Sequence, residues 1–227
     1  MHTQQSTKIE TFFAGYQSLT YKKGEIMIRA EDTPQGVFYI KNGFVRLFCI
    51  AREGKELTFH IFKPKSYFPL IWALCDVPNR YHYQALVSSE MYRAPRQEVL
   101  DFIRQNPDEL YALTNRILIG LDGLLLNMEH LLFGNAYHRV VSAILLFSCR
   151  FGKHIARGRV TIVFPLTHSD IANLAGITRE TTSVAIEKLI RKKLISCHHQ
   201  HIVVNNVDKL IKESTVSFRD STDSPVL

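Results

Sequence analysis

Residues 166–195 read LTHSDIANLAGITRETTSVAIEKLIRKKLI. Thr167 or Ser169 is placed to cap a first helix whose apolar residues are Ile171, Leu174 and Ala175. A hydroxyl at that position accepts from a backbone N–H that has no partner inside the helix. The small Ala172 permits close helix packing. Gly176 supplies the tight turn, where the missing side chain lets two helices approach. Thr178 then caps a second helix, with Ile186, Leu189 and Ile190 directed inward. Two helices joined by a short glycine turn form the helix-turn-helix pattern, which lays its second helix in a major groove.

That second helix opens with Arg179, Glu180, Thr181, Thr182 and Ser183. Arg pairs with the two acceptors of guanine, and Glu accepts from the cytosine amino group. The hydroxyls can bond phosphates or bases. Lys188, Arg191, Lys192 and Lys193 follow, on the side toward the phosphate backbone or in solvent. The next stretch, LISCHHQHIVVNN (194–206), reads as a hairpin wing with His198, His199 and His201 at its tip. Three histidines can hold a metal, or they can be solvated beside phosphates. The candidate DNA contacts are therefore Thr167, Ser169, Arg179, Glu180, Thr181, Thr182, Ser183, Lys188 and His198. The competing reading is a structural helical hairpin with a charged surface.

Charge favours nucleic acid. The chain has 227 residues and a formal net charge of +7. Residues 1–134 are nearly balanced, with 15 Lys+Arg against 14 Asp+Glu, whereas residues 135–215 hold 12 against 5. The basic excess thus coincides with the helix-turn-helix, an asymmetry that points to nucleic acid. Hydrophobic residues make up 46% and charged residues 22%, an ordinary globular composition with room for one or two domains. Cys49, Cys75, Cys149 and Cys197 are far apart and form no CxxC pair, which argues against a zinc ribbon or a cysteine-held iron–sulfur cluster. The first residues carry no secretory pattern, and no apolar run approaches the ~20 residues needed to span a bilayer. The expectation is a cytoplasmic protein with no membrane partner.

Upstream, residues 18–95 read as short strands punctuated by Gly24, Gly36, Gly43 and Gly54. VFYI (37–40), FVRLFCI (44–50) and LTFHIF (57–62) are rich in β-branched and aromatic residues. Alternation places Val45, Leu47 and Cys49 on one face and Leu57, Phe59 and Ile61 on another. KNG (41–43) and REGKE (52–56) read as hairpin turns. RQEVLDFIRQ reads as a short helix, and Pro107 begins a long one over about 107–133. Its apolar residues Leu110, Leu113, Ile117, Leu121, Leu124, Met128 and Leu131 follow a heptad seam, with Leu118, Leu125 and Leu132 as a second stripe. One stripe can face the helix's own domain and the other a second copy. A hinge is expected at Gly134, with Asn135 capping the next helix. The domain reading is 1–134 for a sensor domain with its helix, 135–213 for the DNA-binding domain, and a polar, disordered tail over 214–227.

Taken in order, these elements resemble the Crp/Fnr superfamily of bacterial transcription regulators, from about Leu19 to about Lys212. KKGEIMIRAED, GVFYIKNGFVRLFCIAREGKELTFHIF and ITRETTSVAIEKLIRKKLI carry the resemblance. It implies an α+β fold: an antiparallel β-roll (double-stranded β-helix), a long dimerisation helix and a C-terminal winged helix-turn-helix. It further implies a homodimer on a two-fold DNA site, with RNA polymerase as a partner. The family's Arg-Glu reading pair falls on Arg179 and Glu180, and its wing phosphate contact on His198. The arginine that often follows the serine is absent, since the pair here is Ser183-Val184.

The sensor departs further from the pattern. Where cyclic-nucleotide-binding members carry Gly-Glu, this chain has Pro69-Leu70, and the phosphate-holding Arg-Ser or Arg-Thr pair is missing from NRYHYQAL (79–86), although Arg80 lies nearby. The hydroxyls that meet adenine fall on Leu124 and Leu125. A buried phosphate without a cation would be costly. The corresponding pocket would be apolar, lined by Phe68, Leu70, Trp72, Tyr81, Tyr83, Leu124 and Leu125. It is either a closed core, a site for an unknown small-molecule effector, or a haem site using His60, Cys75 or His82. No cofactor is expected on the first two readings. A cupin-like metalloenzyme is the alternative from another class, but the roll has no HxH.

Overall fold

Four successive residues of one strand, Val37 to Ile40, are all buried, and this organises the first half of the molecule. The computed structural model describes residues 8–198 and 200–214. The chain divides into two compact units, one of residues 1–51 and 58–118 and one of residues 52–57 and 119–227.

The first unit begins with helix α1 (Lys8–Ala14) and strands β1 (Gln17–Tyr21), β2 (Ile26–Ile28), β3 (Val37–Asn42), β4 (Val45–Ile50), β5 (Glu56–Phe62, from Thr58 on) and β6 (Tyr67–Phe68). Helix α2 (Leu70–Cys75), strands β7 (His82–Ala85) and β8 (Ser89–Ala94), helix α3 (Arg96–Gln105) and the start of α4 (Pro107–Phe133) complete it. The strands form two four-stranded sheets, ordered β1-β8-β3-β6 and β2-β7-β4-β5. Neighbours such as β3/β8 and β4/β7 run antiparallel.

Strand β3 is covered on both faces. Val37 and Tyr39 pack with Ile9, Phe13, Val99, Ile103 and Leu113 beneath the helices. Phe38 and Ile40 turn the other way, to Ile28, Val45, Phe68, Tyr83 and Met91. Side chains alternate along a strand, so cover on both faces produces an unbroken apolar run. The expected one-sided alternation in β4 is accordingly incomplete. Val45 and Leu47 join the inner cluster, yet Arg46 and Phe48 on the opposite face are buried too. The Arg46 guanidinium lies 4.0 Å from the Phe48 ring centroid, and its Nε donates to Gln84 Oε1 at 2.6 Å. In β5, Thr58 is buried as well as Ile61, so there too the face of Leu57, Phe59 and Ile61 is not the sole buried one. The turn at Gly43 requires glycine: φ is +98°, and an added Cβ would lie 2.1 Å from Ser89 Oγ.

The second unit contains the rest of α4, then α5 (Ala136–Phe151), β9 (Gly152–Ala156), β10 (Arg159–Ile162), α6 (His168–Ala175), α7 (Arg179–Arg191), β11 (Ile195–His198), β12 (His201–Val204) and α8 (Val207–Ile211). Asn135 caps α5 by accepting from His138 N at 3.1 Å, at the break expected beside Gly134. Helix α5 is apolar around most of its circumference and buries Val140, Ile144, Leu145 and Phe147, the pattern of a central helix. It packs against α6 and α7. The wing is a four-stranded sheet ordered β11-β12-β10-β9, larger than the two-stranded hairpin read from the sequence. Helices α1, α2 and α8 and strand β9 also went unread. All but Ser214 of the polar tail expected over 214–227 lies outside the described residues.

Helix α4 starts at Pro107, as its missing N–H allows. Leu113, assigned above to the seam between two copies, is 2% exposed and belongs to the core of the first unit. It is unavailable to a partner. Leu110, Ile117, Leu121 and Met128 are exposed, as are Leu118, Leu125 and Leu132 of the second stripe, while Leu124 and Leu131 are half-buried.

Candidate nucleic-acid interface

Both helices of the 166–195 segment are capped as their sequence directs. Thr167 Oγ1 accepts from Asp170 N at 3.1 Å, while Asp170 Oδ2 accepts from Thr167 N at 2.8 Å, a reciprocal capping box. The Thr167 hydroxyl proton goes to the same carboxylate at 2.7 Å. Thr167 is thereby a structural cap rather than a free donor for phosphate. Ser169 is exposed in the first turn of α6. Thr178 Oγ1 caps α7 by accepting from Thr181 N at 3.2 Å. Gly176 adopts φ +62°, the left-handed region. An added Cβ would meet its nearest neighbours at 3.5 Å, ordinary contact. Its backbone conformation, rather than the close helix approach expected from the sequence, is what calls for glycine.

Helix α7 buries Thr182, Ala185, Ile186 and Leu189. At 100° per residue these lie on one side, and Glu180, Ser183, Val184, Glu187 and Arg191 turn away from it, while Arg179, nearly in line with Ile186, is exposed as the first residue of the helix. Two sequence assignments are corrected by this geometry. Thr182, counted among the DNA contacts, is 0% exposed, and its hydroxyl donates to Thr178 O at 3.0 Å. Ile190, placed inward, is 42% exposed, because it falls at the edge of the buried side, about 90° from its middle.

At the start of α7, Arg179 and Glu180 are exposed, and their side chains have no hydrogen-bond or ion-pair partner among the described residues. Thr181 is exposed and shares a 3.0 Å hydroxyl contact with Thr178. Val184, at 69% exposure, occupies the middle of the outer face, and Glu187 and Arg191 pair behind it at 3.3 Å. Ser183 is half-buried. Its Oγ donates to Arg179 O at 3.0 Å and lies 2.7 Å from His168 Nδ1. Sequence reasoning missed His168, since nothing in the spacing pairs the first residue of α6 with the second turn of α7.

Lys188 points elsewhere. Its Nζ lies 4.3 Å from the Tyr137 ring centroid, with Lys192 at 5.4 Å. Glu213 accepts from Tyr137 Oη at 2.7 Å and from Lys192 Nζ at 2.6 Å, joining the region after α8 to α5 and α7. These two donors hold the Glu213 carboxyl below the usual carboxylate range. Burial and the Glu213 carboxylate push the Tyr137 phenol up to about 12. On the wing, His198 is exposed opposite His201, whose Nδ1 lies 3.4 Å from Ile162 O. His199 lies outside the described residues. No group of three or more metal-ligating side chains occurs among the described residues.

The profile of the Crp-like helix-turn-helix domain matches residues 138–213, and that of the cyclic nucleotide-binding domain matches residues 18–106. The chain belongs to the Crp/Fnr superfamily. It is 28% identical over 202 residues to the global nitrogen regulator of Nostoc sp., covering 86% of this chain and 88% of that one. It is 26% identical over 191 residues to the cyclic AMP receptor protein of Thermus thermophilus, covering 83% of each. The solved structure of FixK2 from Bradyrhizobium japonicum shares the fold, with a TM-score of 0.75 at 21% identity over 89% of this chain and 99% of that one. The protein is thus a DNA-binding transcription regulator of the Crp/Fnr type, and among the described residues no helix is long and apolar enough to cross a membrane.

The residues assigned to an effector pocket are divided within this Crp/Fnr roll. Phe68, Tyr81 and Tyr83 belong to the cluster between the sheets, with Phe68 and Tyr83 stacked at 4.9 Å and Phe62 and Phe68 at 5.1 Å. Leu70 and Trp72 pack against the other cluster, beside Tyr39 and Tyr67. The split follows from alternation: Tyr67 and Phe68 face opposite ways, and α2 continues on the side of Tyr67. Leu124 and Leu125 lie on the part of α4 that belongs to the second unit. Of the residues considered for haem, His82 Nδ1 accepts from Ala30 N at 3.2 Å, Cys75 is exposed, and the ring of His60 lies 4.6 Å from that of Phe62.

Proposed function

We propose that the protein acts as a cytoplasmic homodimer that reads a two-fold DNA site through the outer face of α7. The exposed, unengaged pair Arg179 and Glu180 at the start of α7 carries this reading. Arg supplies two donors for guanine and Glu an acceptor for the cytosine amino group. Ser183, Thr181 and Ser169 supply hydroxyls at the rim, His198 reaches phosphate from the wing, and Val184 offers methyls to a thymine. Thr182 has no place in this set, and Thr167 and Lys188 act through the fold. The exposed leucines of α4 support pairing of two copies, with RNA polymerase as the further partner of such a dimer. The break at Gly134 between α4 and α5 separates the sensing and pairing elements from those that read DNA, and the chain performs no catalysis of its own.

One relative is named a cyclic AMP receptor protein. In this chain the stacked rings of Phe62, Phe68 and Tyr83 support a different sensor: a roll whose interior is filled with side chains and which has lost the residues that hold a cyclic phosphate. Neither haem nor a metal is part of this reading.

Selection from randomised DNA duplexes tests it. The expected product is one enriched sequence with two symmetric half-sites about 34 Å apart. Binding to it should fall steeply between low and moderate salt as phosphate counterions are released. No enrichment, or enrichment of an asymmetric single half-site, overturns the proposal.

A further inference from the structure

The most constrained polar group on the reading face is the Ser183 hydroxyl, and its constraint comes from the other helix. Its oxygen lies 3.0 Å from the Arg179 carbonyl and 2.7 Å from His168 Nδ1. A serine hydroxyl has one proton and two lone pairs. If the proton goes to the Arg179 carbonyl, Nδ1 must be the donor to Ser183, which leaves one lone pair. If the proton goes to Nδ1, both lone pairs remain. A doubly protonated imidazole reproduces the first case. In every protonation state of His168 the hydroxyl proton has a partner inside the protein, Nδ1 or the Arg179 carbonyl; where Nδ1 donates, it polarises the hydroxyl and strengthens the bond to Arg179 O, and at least one lone pair stays available. Ser183 is half-buried and sits one turn beyond Arg179, beside the exposed Val184, so that lone pair belongs to the reading face.

We propose that His168 sets the base preference of Ser183. With His168 in place, Ser183 is an acceptor toward the groove and selects a base that presents an amino group there, adenine N6 or cytosine N4, over the acceptors of guanine and thymine. Without His168 the only constraint is the back-bond to Arg179 O. That is a local bond which a serine in a helix exchanges readily. The hydroxyl can then rotate and donate, and the preference is lost. His168 is therefore a positioning residue that acts through Ser183, and the inference rests on the reading of α7 as the DNA-contacting helix.

The test measures base preference at each position, using the full chain and duplexes first enriched by the wild type from a randomised library. The wild type should prefer an amino-bearing base at one position per half-site by about three- to tenfold, the range of one net hydrogen bond. His168→Phe keeps a ring of similar size and should flatten that position to below about twofold, with the other positions and the melting temperature unchanged. His168→Asn restores an amide nitrogen near the place of Nδ1 and should restore the preference. Ser183→Ala should flatten the same position, and adding His168→Phe to it should change nothing more.

The inference is overturned if His168→Phe keeps the preference that Ser183→Ala removes, if no position depends on Ser183, or if His168→Phe weakens all positions equally. A wild type that enriches no sequence overturns the regulatory reading, and this inference with it. A wild type that enriches a site unaffected by His168 leaves that reading intact and removes only this step.

Discussion

Replacing Leu121 by Glu should separate the two roles of α4. Leu121 is 50% exposed, so in a single chain the change should cost no more than about 1 kcal/mol. Between two copies the same position is costly. Fully burying a leucine contributes about 1.5–3 kcal/mol, and roughly half of this side chain is still exposed for a partner to bury. The lost burial is then about 1 kcal/mol per copy, and two carboxylates facing each other in a drying interface add several more. Association should weaken by at least about 3 kcal/mol, more than a hundredfold in Kd. Leu113→Ala is the contrasting change. Leu113 lies in the core of the first unit, and its truncation should cost about 2–5 kcal/mol of folding stability. Sedimentation equilibrium reads association, and thermal unfolding reads stability. Leu121→Glu should give monomers that melt close to the wild type at matched low concentration, and Leu113→Ala should give a destabilised chain. A Leu121→Glu protein that stays dimeric at the same concentrations would refute the assignment of the α4 face.

Thr182→Val should leave DNA binding within about twofold and stability within about 1 kcal/mol. The reason is that Thr178 O already accepts from Thr182 N at 3.0 Å; a loss of affinity in a binding titration would return Thr182 to the interface. Glu213→Gln should destabilise the second unit at neutral pH by about 1 kcal/mol, since its carboxylate accepts from Tyr137 and Lys192. Because that carboxyl is held below its usual range, the contribution is fully present above the ordinary carboxylate value. It is lost as pH falls through the lower folded-state value. Chemical denaturation of the two proteins at a series of pH values should converge on the acid side, and a gap that widens with acid would contradict the assignment. Thr178→Ala should cost about 1 kcal/mol through loss of the α7 cap, and an unchanged denaturation midpoint would show that the cap bond contributes nothing.

The helix-turn-helix was readable because its signals are local. Thr167 and Thr178 cap within three residues, and Gly176 marks the left-handed turn by itself. The inward side of α7 was readable as well, but only by counting consistently. Stepping back three and four residues from Ala185 and Ile186 places Thr182 inside, whereas Ile190 falls about 90° from the middle of the buried side, at its edge, and is left exposed. The roll was legible as a class and not in its interior. Which of Tyr67, Phe68, Leu70 and Trp72 share a space depends on which sheet face each neighbouring element covers, and that is set by pairing across the chain. Leu113 fitted the heptad by spacing, yet it packs beside Tyr39 and Ile103 because α4 begins against the first unit. His168 was invisible for the same reason, since its partner is fifteen residues away on another helix.

The central claim is that the outer face of α7 reads DNA, and the affinity of Arg179→Ala for single-base variants of the selected duplex tests it most directly. The account predicts a loss of about 1–3 kcal/mol that vanishes when one base pair per half-site is changed, with the remaining positions read as before. Equal loss on every duplex, or none on any, would contradict it.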